Sequence, residues 1–317
     1  DTKAERGGRI FPTSDKAQDV VAALEKYVRA NNVDIINDEV LKVVSKDGRI
    51  NHVELKKAGD IKCSSVVVAT GGLSYPQTGS TGDGYQFAEQ NGHSIIPLKP
   101  SLVPLETEEE WVKELQGLSL KNVSITILDK NNKKAYTDFG EMLFTHFGVS
   151  GPIILSASSY IRDLHGKKYT LVIDLKPALS HEQLDKRIQR DFDKYSRKIF
   201  ANSLNDLLPK KLIPIIIKLS HIPEDKPVNQ ISRAERLDLV ELVKGLRLTI
   251  TKYRPIREAI ITSGGVNIKE IDPQTMESRL VKGLFFAGEV IDVDGYTGGF
   301  NLQIAFSTGY VAGINCF

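Results

Sequence analysis

Cysteine is scarce in this sequence: the 317 residues hold two, Cys63 and Cys316. Thiols so far apart give neither the Cys-x-x-Cys spacing of a zinc or redox site nor a disulfide framework, so a reducing cytoplasm is the expected compartment. Long apolar runs are missing as well. The most apolar short stretch, Leu212 to Leu219, contains Pro214 and Lys218 and falls far below the roughly 20 residues a membrane-crossing helix needs. Neither sign of charge dominates, because 42 Lys and Arg stand against 40 Asp and Glu, a formal net of +2. No block of like charges interrupts the chain, so composition asks for no membrane surface and no phosphate backbone, and a small-molecule substrate is the expected partner. The oligomeric state is not legible. The opening residues, Asp1 to Arg9, lack both an initiator Met and the apolar run of a secretory signal, and this predicts that the biological chain is longer.

What is present is ordinary globular material, 41% hydrophobic and 26% charged. Ala17, Val20, Val21, Leu24 and Val28 recur at helical spacing, which predicts a helix over residues 14–30 with Thr13 or Ser14 as cap. Short strand patterns follow at Val33–Ile36, Val40–Val44 and Ile50–Leu55, the last two joined through Asp47-Gly48 as a hairpin. Val66-Val67-Val68-Ala69 is apolar without alternation, as in a strand covered on both faces, and runs into Thr70-Gly71-Gly72. From about residue 100 alternation predicts a mostly β region, with Val123, Ile125 and Ile127 and then Tyr169, Leu171, Ile173 and Leu175 on one face. Residues 180–246 turn helical, with Ser180/Gln183 and Ser232/Glu235 at capping-box spacing. Leu248 to Tyr253 reads as a strand returning to the β region, so the helical block is an insertion. The last forty residues resume α/β style.

Three places carry chemistry. At the end of the chain, Leu284 to Glu289 reads as a buried strand with a carboxylate past its tip, where ligands bind in open α/β sheets. Thr297, Gly298, Gly299, Phe300, Asn301, Leu302 and Gln303 follow, a glycine pair opening a helix whose unpaired N–H groups suit an electron-rich ring or an anion. A bare strand, turn and packed helix is the plain alternative. The second place is Thr70-Gly71-Gly72 with Thr78 to Gly84, glycine-rich but neither a P-loop nor a G-x-G-x-x-G turn. It reads as a ligand-approaching backbone or as a linker. The third is Phe144 to Pro152, where His146 is either an acid or base near neutral pH or a hydrogen-bonding turn residue. Thr262-Ser263-Gly264-Gly265-Val266 reads as a tight turn at a domain crossover or as a cavity lining.

Six segments in order, G-R-I-F-P-T-S-D-K-A from Gly8, V-V-V-A-T-G-G from Val66, P-Q-T-G-S-T-G-D-G from Pro76, L-F-T-H-F-G-V-S-G-P from Leu143, T-S-G-G-V from Thr262 and G-E-V-I-D-V-D-G-Y-T-G-G-F-N-L-Q from Gly288, resemble the BaiN/YhiN family of flavoproteins. The resemblance implies an α/β fold: a partial two-dinucleotide-type, Rossmann-like FAD-binding domain over 1–98 and 277–317. It is interrupted by a β-barrel-like domain over 99–178 and 247–276, itself interrupted by a helical domain over 179–246. Carried over by motif, the adenosine end of FAD lies near Val40 and the turn Thr70, Gly71 and Gly72. Gly288 and Glu289 approach the ribityl-pyrophosphate, and Thr297 to Gln303 cradle the flavin ring. The implied activity is that of an FAD-dependent oxidoreductase passing hydride through flavin N5 between a small organic substrate or NAD(P)H and an acceptor. Substrate does not transfer with fold.

Family members begin with a strand, a G-x-G-x-x-G-type turn and a helix that this sequence does not contain. The resemblance therefore implies that the 317-residue chain alone binds FAD poorly and is inactive. A non-catalytic binding module or remnant of the fold is the alternative. A flavin-dependent RNA-modifying enzyme would require a basic face, which a balance of +2 does not advertise.

Overall fold

The computed structural model describes every residue except 6–7, 162–163 and 165–167. The chain forms two compact units, one of Asp1–Lys99 with Ile261–Phe317 and one of Pro100–Ile260. Residues 261–276 thus fall in the first unit, and the helical block 179–246 in the second.

The first unit opens with an antiparallel pair, β1 (Thr2–Glu5) and β2 (Arg9–Pro12), then helix α1 (Ala17–Ala30). The helix starts after Lys16, and no side chain caps it. Strands β3 (Val40–Lys46) and β4 (Arg49–Leu55) form the hairpin expected from Asp47-Gly48. Both turn residues have positive φ, 52° and 73°, the backbone that matches the twist of a two-residue hairpin. A third strand, β5 (Gly59–Lys62), pairs with β4. Val33–Ile36 forms no strand; its residues are exposed and have no ladder partner among the described residues. Then come β6 (Val66–Val68), helix α2 (Asp83–Gln90) and β7 (Ile95–Ser101).

In the second unit β8 (Leu105–Thr107), β9 (Ser119–Leu128), β10 (Lys134–Phe144), β11 (Gly148–Ser150), β12 (Tyr169–Asp174) and β13 (Leu246–Tyr253) close a six-stranded barrel in the order β10-β11-β8-β13-β12-β9. Closure removes the sheet edges. The alternating residues Val123, Ile125, Ile127, Leu171 and Ile173 are buried, as the period-two pattern requires. Helix α3 (Pro152–Ser158) lies between β11 and β12 in the chain. Helices α4 (His181–Lys194), α5 (Ile213–Ser220) and α6 (Arg233–Lys244) lie between β12 and β13. Both capping boxes form: Ser180 with Gln183 and Ser232 with Glu235 satisfy each other's backbone donors. Barrel and helices share one continuous apolar core, with Ile125 and Leu171 from strands and Leu184, Ile188 and Leu239 from helices.

The chain then returns to the first unit through β14 (Ile261–Val266), which pairs with β7, and β15 (Leu284–Phe286), which pairs with β6, before helix α7 (Phe300–Asn315). The second core gathers Val43, Val68, Phe87, Ala88, Leu284, Phe286 and Val290. No helix among the described residues is long and apolar enough to cross a membrane.

Candidate functional site

The site is assembled at one end of a parallel strand pair. β15 runs parallel to β6 with Leu284 opposite Val66 and Phe286 opposite Val68, so the turns that leave both strands emerge together. That end is where backbone donors converge in α/β sheets. Beyond β6, Gly71 has φ +74°, and a Cβ there would lie 2.6 Å from Ser80 Oγ. At Gly72 a Cβ would lie 2.4 Å from Thr262 Oγ1 and 2.6 Å from Glu289 Oε1, closer than real atoms approach. Only glycine lets the three segments meet.

They are held by a compact hydrogen-bond cluster. The N–H groups of Leu73 and Ser74 donate to Thr262 Oγ1 at 2.8 and 3.1 Å. Ser74 Oγ and the Thr262 N–H donate to Glu289 Oε1 at 2.8 and 2.7 Å. Glu289 thus organises the strand tips from within.

Beside the cluster, the hydroxyls of Thr70 and Tyr85 are buried without hydrogen-bond partners. Burial, with the Glu289 charge second, pushes the Tyr85 phenol well above its ordinary range. Gly84 opens α2 against this point, where a Cβ would sit 2.1 Å from Thr70 Oγ1. An unpaired buried hydroxyl costs free energy unless a polar group is brought to it. The glycine-rich segment Thr78–Gly84 is therefore the entry to a packed helix.

The second half of the site is the loop from β15 to α7. The N–H of Gly288, at φ +77°, donates to Thr308 Oγ1 at 2.9 Å, so the bend is tied to the third turn of α7. Asn301 clamps the loop: its Oδ1 accepts from the Gly295 N–H at 2.8 Å, and its Nδ2 donates to the carbonyls of Gly295 and Tyr296 at 3.0 and 3.3 Å. Gly298 and Gly299 have φ of +115° and +95°, and Gly299 opens α7 with no side-chain cap. The first-turn N–H groups are left to face outward with the positive end of the helix. Arg9 stands beside this turn, its Cδ 4.0 Å from where a Cβ on Gly298 would lie. Thr297, Phe300 and Leu302 are exposed there, and Gln303 donates to Ser307 Oγ at 3.0 Å one turn along.

Further along the loop, burial first and then Asp294 raise the Asp292 carboxyl above its usual range, against Lys99 and the Gly264 N–H, which lower it. The Asp292 N–H donates to the Val266 carbonyl at 3.0 Å, and Ser263 Oγ to Asp294 Oδ1 at 3.0 Å. The Thr262–Val266 motif therefore lies against the loop: a Cβ on Gly265 would meet the Val290 carbonyl at 2.6 Å.

Val40 opens β3 opposite Leu55 and packs, half-buried, on the first unit's core. His146 belongs to the second unit, in the turn from β10 to β11, where its exposed ring meets Phe147 edge-on at 4.9 Å. Arg254 covers Phe147 at 4.4 Å, and the Thr145 N–H closes the turn on the Gly148 carbonyl at 2.8 Å. Arg9, Ser74, Tyr85 and Asp292 escape sequence reading, because nothing in their spacing announces that they converge. No group of three or more His, Cys, Asp or Glu among the described residues could hold a metal ion.

Residues 1–315 match the family model described as the HI0933-like protein Rossmann domain. The 3-dehydro-bile acid delta(4,6)-reductase of Clostridium scindens is 33% identical over 313 residues, covering 97% of this chain and 75% of that protein. A ribosomal RNA dihydrouridine synthase of Haemophilus influenzae is 35% identical over 311 residues, covering 97% of this chain and 74% of that one. Among solved structures, the form I crystal of Aquifex aeolicus GidA aligns with 93% of this chain at 14% identity and a TM-score of 0.37. The alignment covers 49% of that structure's chain.

Proposed function

Because the chain belongs to the HI0933-like family, the BaiN/YhiN flavoproteins, we propose that it belongs to an FAD-dependent reductase acting on a carbon–carbon double bond conjugated to a carbonyl. The names of its relatives support that substrate class. One is a delta(4,6)-reductase of a 3-dehydro compound and another makes dihydrouridine, and both names denote hydrogen added across ring double bonds.

The observation that carries the reading is the meeting of the Gly71-Gly72 turn, the Gly288 bend and the uncapped start of α7 in one compact unit, with two unpartnered hydroxyls beside them. These features fit FAD. Thr70, Gly71 and Gly72, with Val40 on the neighbouring hairpin, would hold the adenosine end, Gly288 the ribityl-pyrophosphate and Thr297–Gln303 the ring. When bound there the flavin supplies a two-electron carrier that exchanges hydride at N5 with substrate or NAD(P)H.

The protein's own part is positioning and charge. The open N–H groups at Phe300 to Leu302 favour negative charge developing on a ligand beside Gly298. Asn301 and Glu289 act through the backbone they hold, since their polar atoms are engaged within the protein. Asp292, whose carboxyl burial and Asp294 hold above its usual range, is the loop's candidate for a proton-transferring group.

The test is the absorption spectrum of the full-length protein, purified from cells, before and after anaerobic NADPH or NADH. Flavin bands that are present and then bleach are expected, with reoxidation by an α,β-unsaturated ketone. A colourless protein that takes up no added FAD would overturn the reading.

A further inference from the structure

The near-neutral charge balance conceals a local excess of hydrogen-bond donors. In the second unit Gln183, Lys186, Arg187 and Arg190 of α4 line an open cleft of about 230 Å³ with Leu179. The acceptors at its walls are already engaged. Gln183 Oε1 takes the Ser180 N–H at 2.9 Å in the capping box, which leaves the Gln183 amide nitrogen without a partner among the described residues. The Leu179 carbonyl receives the Lys244 ammonium at 2.7 Å. Arg187 gives its Nε to Asp191 at 2.8 Å. Lys186 and Arg190, exposed and one turn apart, have no ion-pair partner among the described residues.

Lys176, just past β12, adds a third free cation. It is half-buried, no carboxylate pairs with it among the described residues, and burial together with the nearby Arg187 guanidinium lowers its pKa. A partly desolvated cation beside another is costly until an anion is brought to it. The neighbouring carboxylates do not supply that anion: Asp185 takes Arg236, Asp174 takes Lys244 and Asp206 takes Lys194, each at 2.6 Å. Glu182 and Asp193, both exposed, stand at the two ends of the free stripe. Their charges work against a long polyanion running along the helix and leave room for a compact one.

A carboxylate would answer one of these cations. A phosphate monoester carries about two negative charges at neutral pH and three terminal oxygens, so it answers two and suits the flat fork of an Arg beside a Lys amine. The cleft is larger than a phosphoryl group needs, and the Leu179 side chain offers an apolar wall to the rest of the molecule. We propose that the α4 cleft binds the phosphoryl group of a small phosphate monoester, with Lys186, Arg190 and Lys176 as counter-charges and Gln183 as a neutral donor. The site is built from second-unit residues alone and stands whether or not the first unit holds flavin.

The experiment is isothermal titration calorimetry of the full chain at constant ionic strength with phenyl phosphate, inorganic phosphate and, as the uncharged control, phenol. Phenyl phosphate should bind at one site in competition with inorganic phosphate and more tightly than it, and phenol should give no heat of binding. Lys186→Gln with Arg190→Gln should weaken phenyl phosphate about tenfold or more, since two charge-assisted contacts are lost, while Lys130→Gln with Lys133→Gln, in the β9–β10 turn, should leave it unchanged. Lys176→Met should also weaken binding, yet the unliganded variant should melt no lower than the parent, because a repelled half-buried charge has been removed. No binding of phenyl phosphate, equal binding by the double variant, or a lower melting temperature in Lys176→Met would each overturn the proposal. So would phosphate binding no better than chloride, which would mean only screening of exposed charges, and so would an RNA hairpin that displaces phenyl phosphate with a salt slope steeper than about −2, which would assign the face to a polyanion.

Discussion

Ser74 Oγ donates to Glu289 Oε1 at 2.8 Å across 215 residues of sequence, fastening the turn after β6 to the tip of β15. The same oxygen takes the Thr262 N–H, so one carboxylate holds three separated segments. Glu289→Ala should lower unfolding stability by about 2 kcal/mol, since two donors lose a charged acceptor, and Glu289→Gln by less. Gly72→Ala should cost more, about 3 kcal/mol, because its methyl enters the space of Thr262 Oγ1 and the Glu289 carboxylate. Urea titration of the three variants gives the order.

Backbone and side-chain roles at the start of α7 can be separated. Gly299 has φ +95° with nothing within 4 Å of an added Cβ, so Gly299→Ala should cost only the left-handed backbone penalty of about 1–2 kcal/mol. Asn301→Ala removes the clamp on Gly295 and Tyr296. We expect it to release bound flavin more readily than Gln303→Ala, whose amide reaches only Ser307. Flavin fluorescence on dilution reports the difference.

These relationships were unevenly legible in the sequence. The hairpin at Asp47-Gly48 and the two capping boxes were readable because their chemistry is local: a turn with positive φ and reciprocal caps three residues apart. Of the barrel strands, β9 and β12 were readable from alternation. Val33–Ile36 misled, since β-branched composition makes a strand only where a partner supplies the ladder. Helix α2 was hidden by its glycines: Gly84 weakens the helix by propensity yet is required where α2 meets Thr70. At the site, Gly288, Gly298 and Gly299 could be picked out as bends. The linkage of Thr262, Ser74 and Glu289 depends on contacts between distant segments, and one sequence carries no record of those.

Acid should loosen the first unit through His93. Its ring is buried, with Nε2 2.8 Å from Ser278 Oγ and Nδ1 3.2 Å from the Glu270 carboxylate. Burial lowers its pKa below 6.5 against the opposing pull of Glu270, so the folded state prefers the neutral ring. That contribution is complete above pH 6.5 and is lost as pH falls below it. For Glu270 burial acts upward, but hydrogen bonds from Ser94 and the proximity of His93 leave the carboxyl below 4.5, adding a second loss at lower pH. Thermal denaturation should therefore show Tm falling first from about pH 6.5. His93→Phe should start from a lower Tm yet lose that first phase.

Helix α7 presents an apolar side that the described residues do not cover. Leu302, Phe306, Tyr310 and Ile314 recur every fourth residue and are exposed by 64%, 53%, 70% and 57%, while Ala312 is the helix's buried residue. Apolar surface gathered along one helix side in this way ordinarily meets another surface or an apolar probe. The 317-residue chain should accordingly enhance the fluorescence of an anilinonaphthalene sulfonate dye at neutral pH. Phe306→Lys with Tyr310→Lys should reduce that enhancement by about half and change stability by no more than about 0.5 kcal/mol, because the two rings contribute area to the dye and little to the core. Undiminished dye fluorescence in the double variant would mean that the apolar surface responsible lies elsewhere. A large loss of stability would mean that the rings pack against protein, and a chain in which added sequence or a partner seats on α7 should show the low dye signal without any substitution.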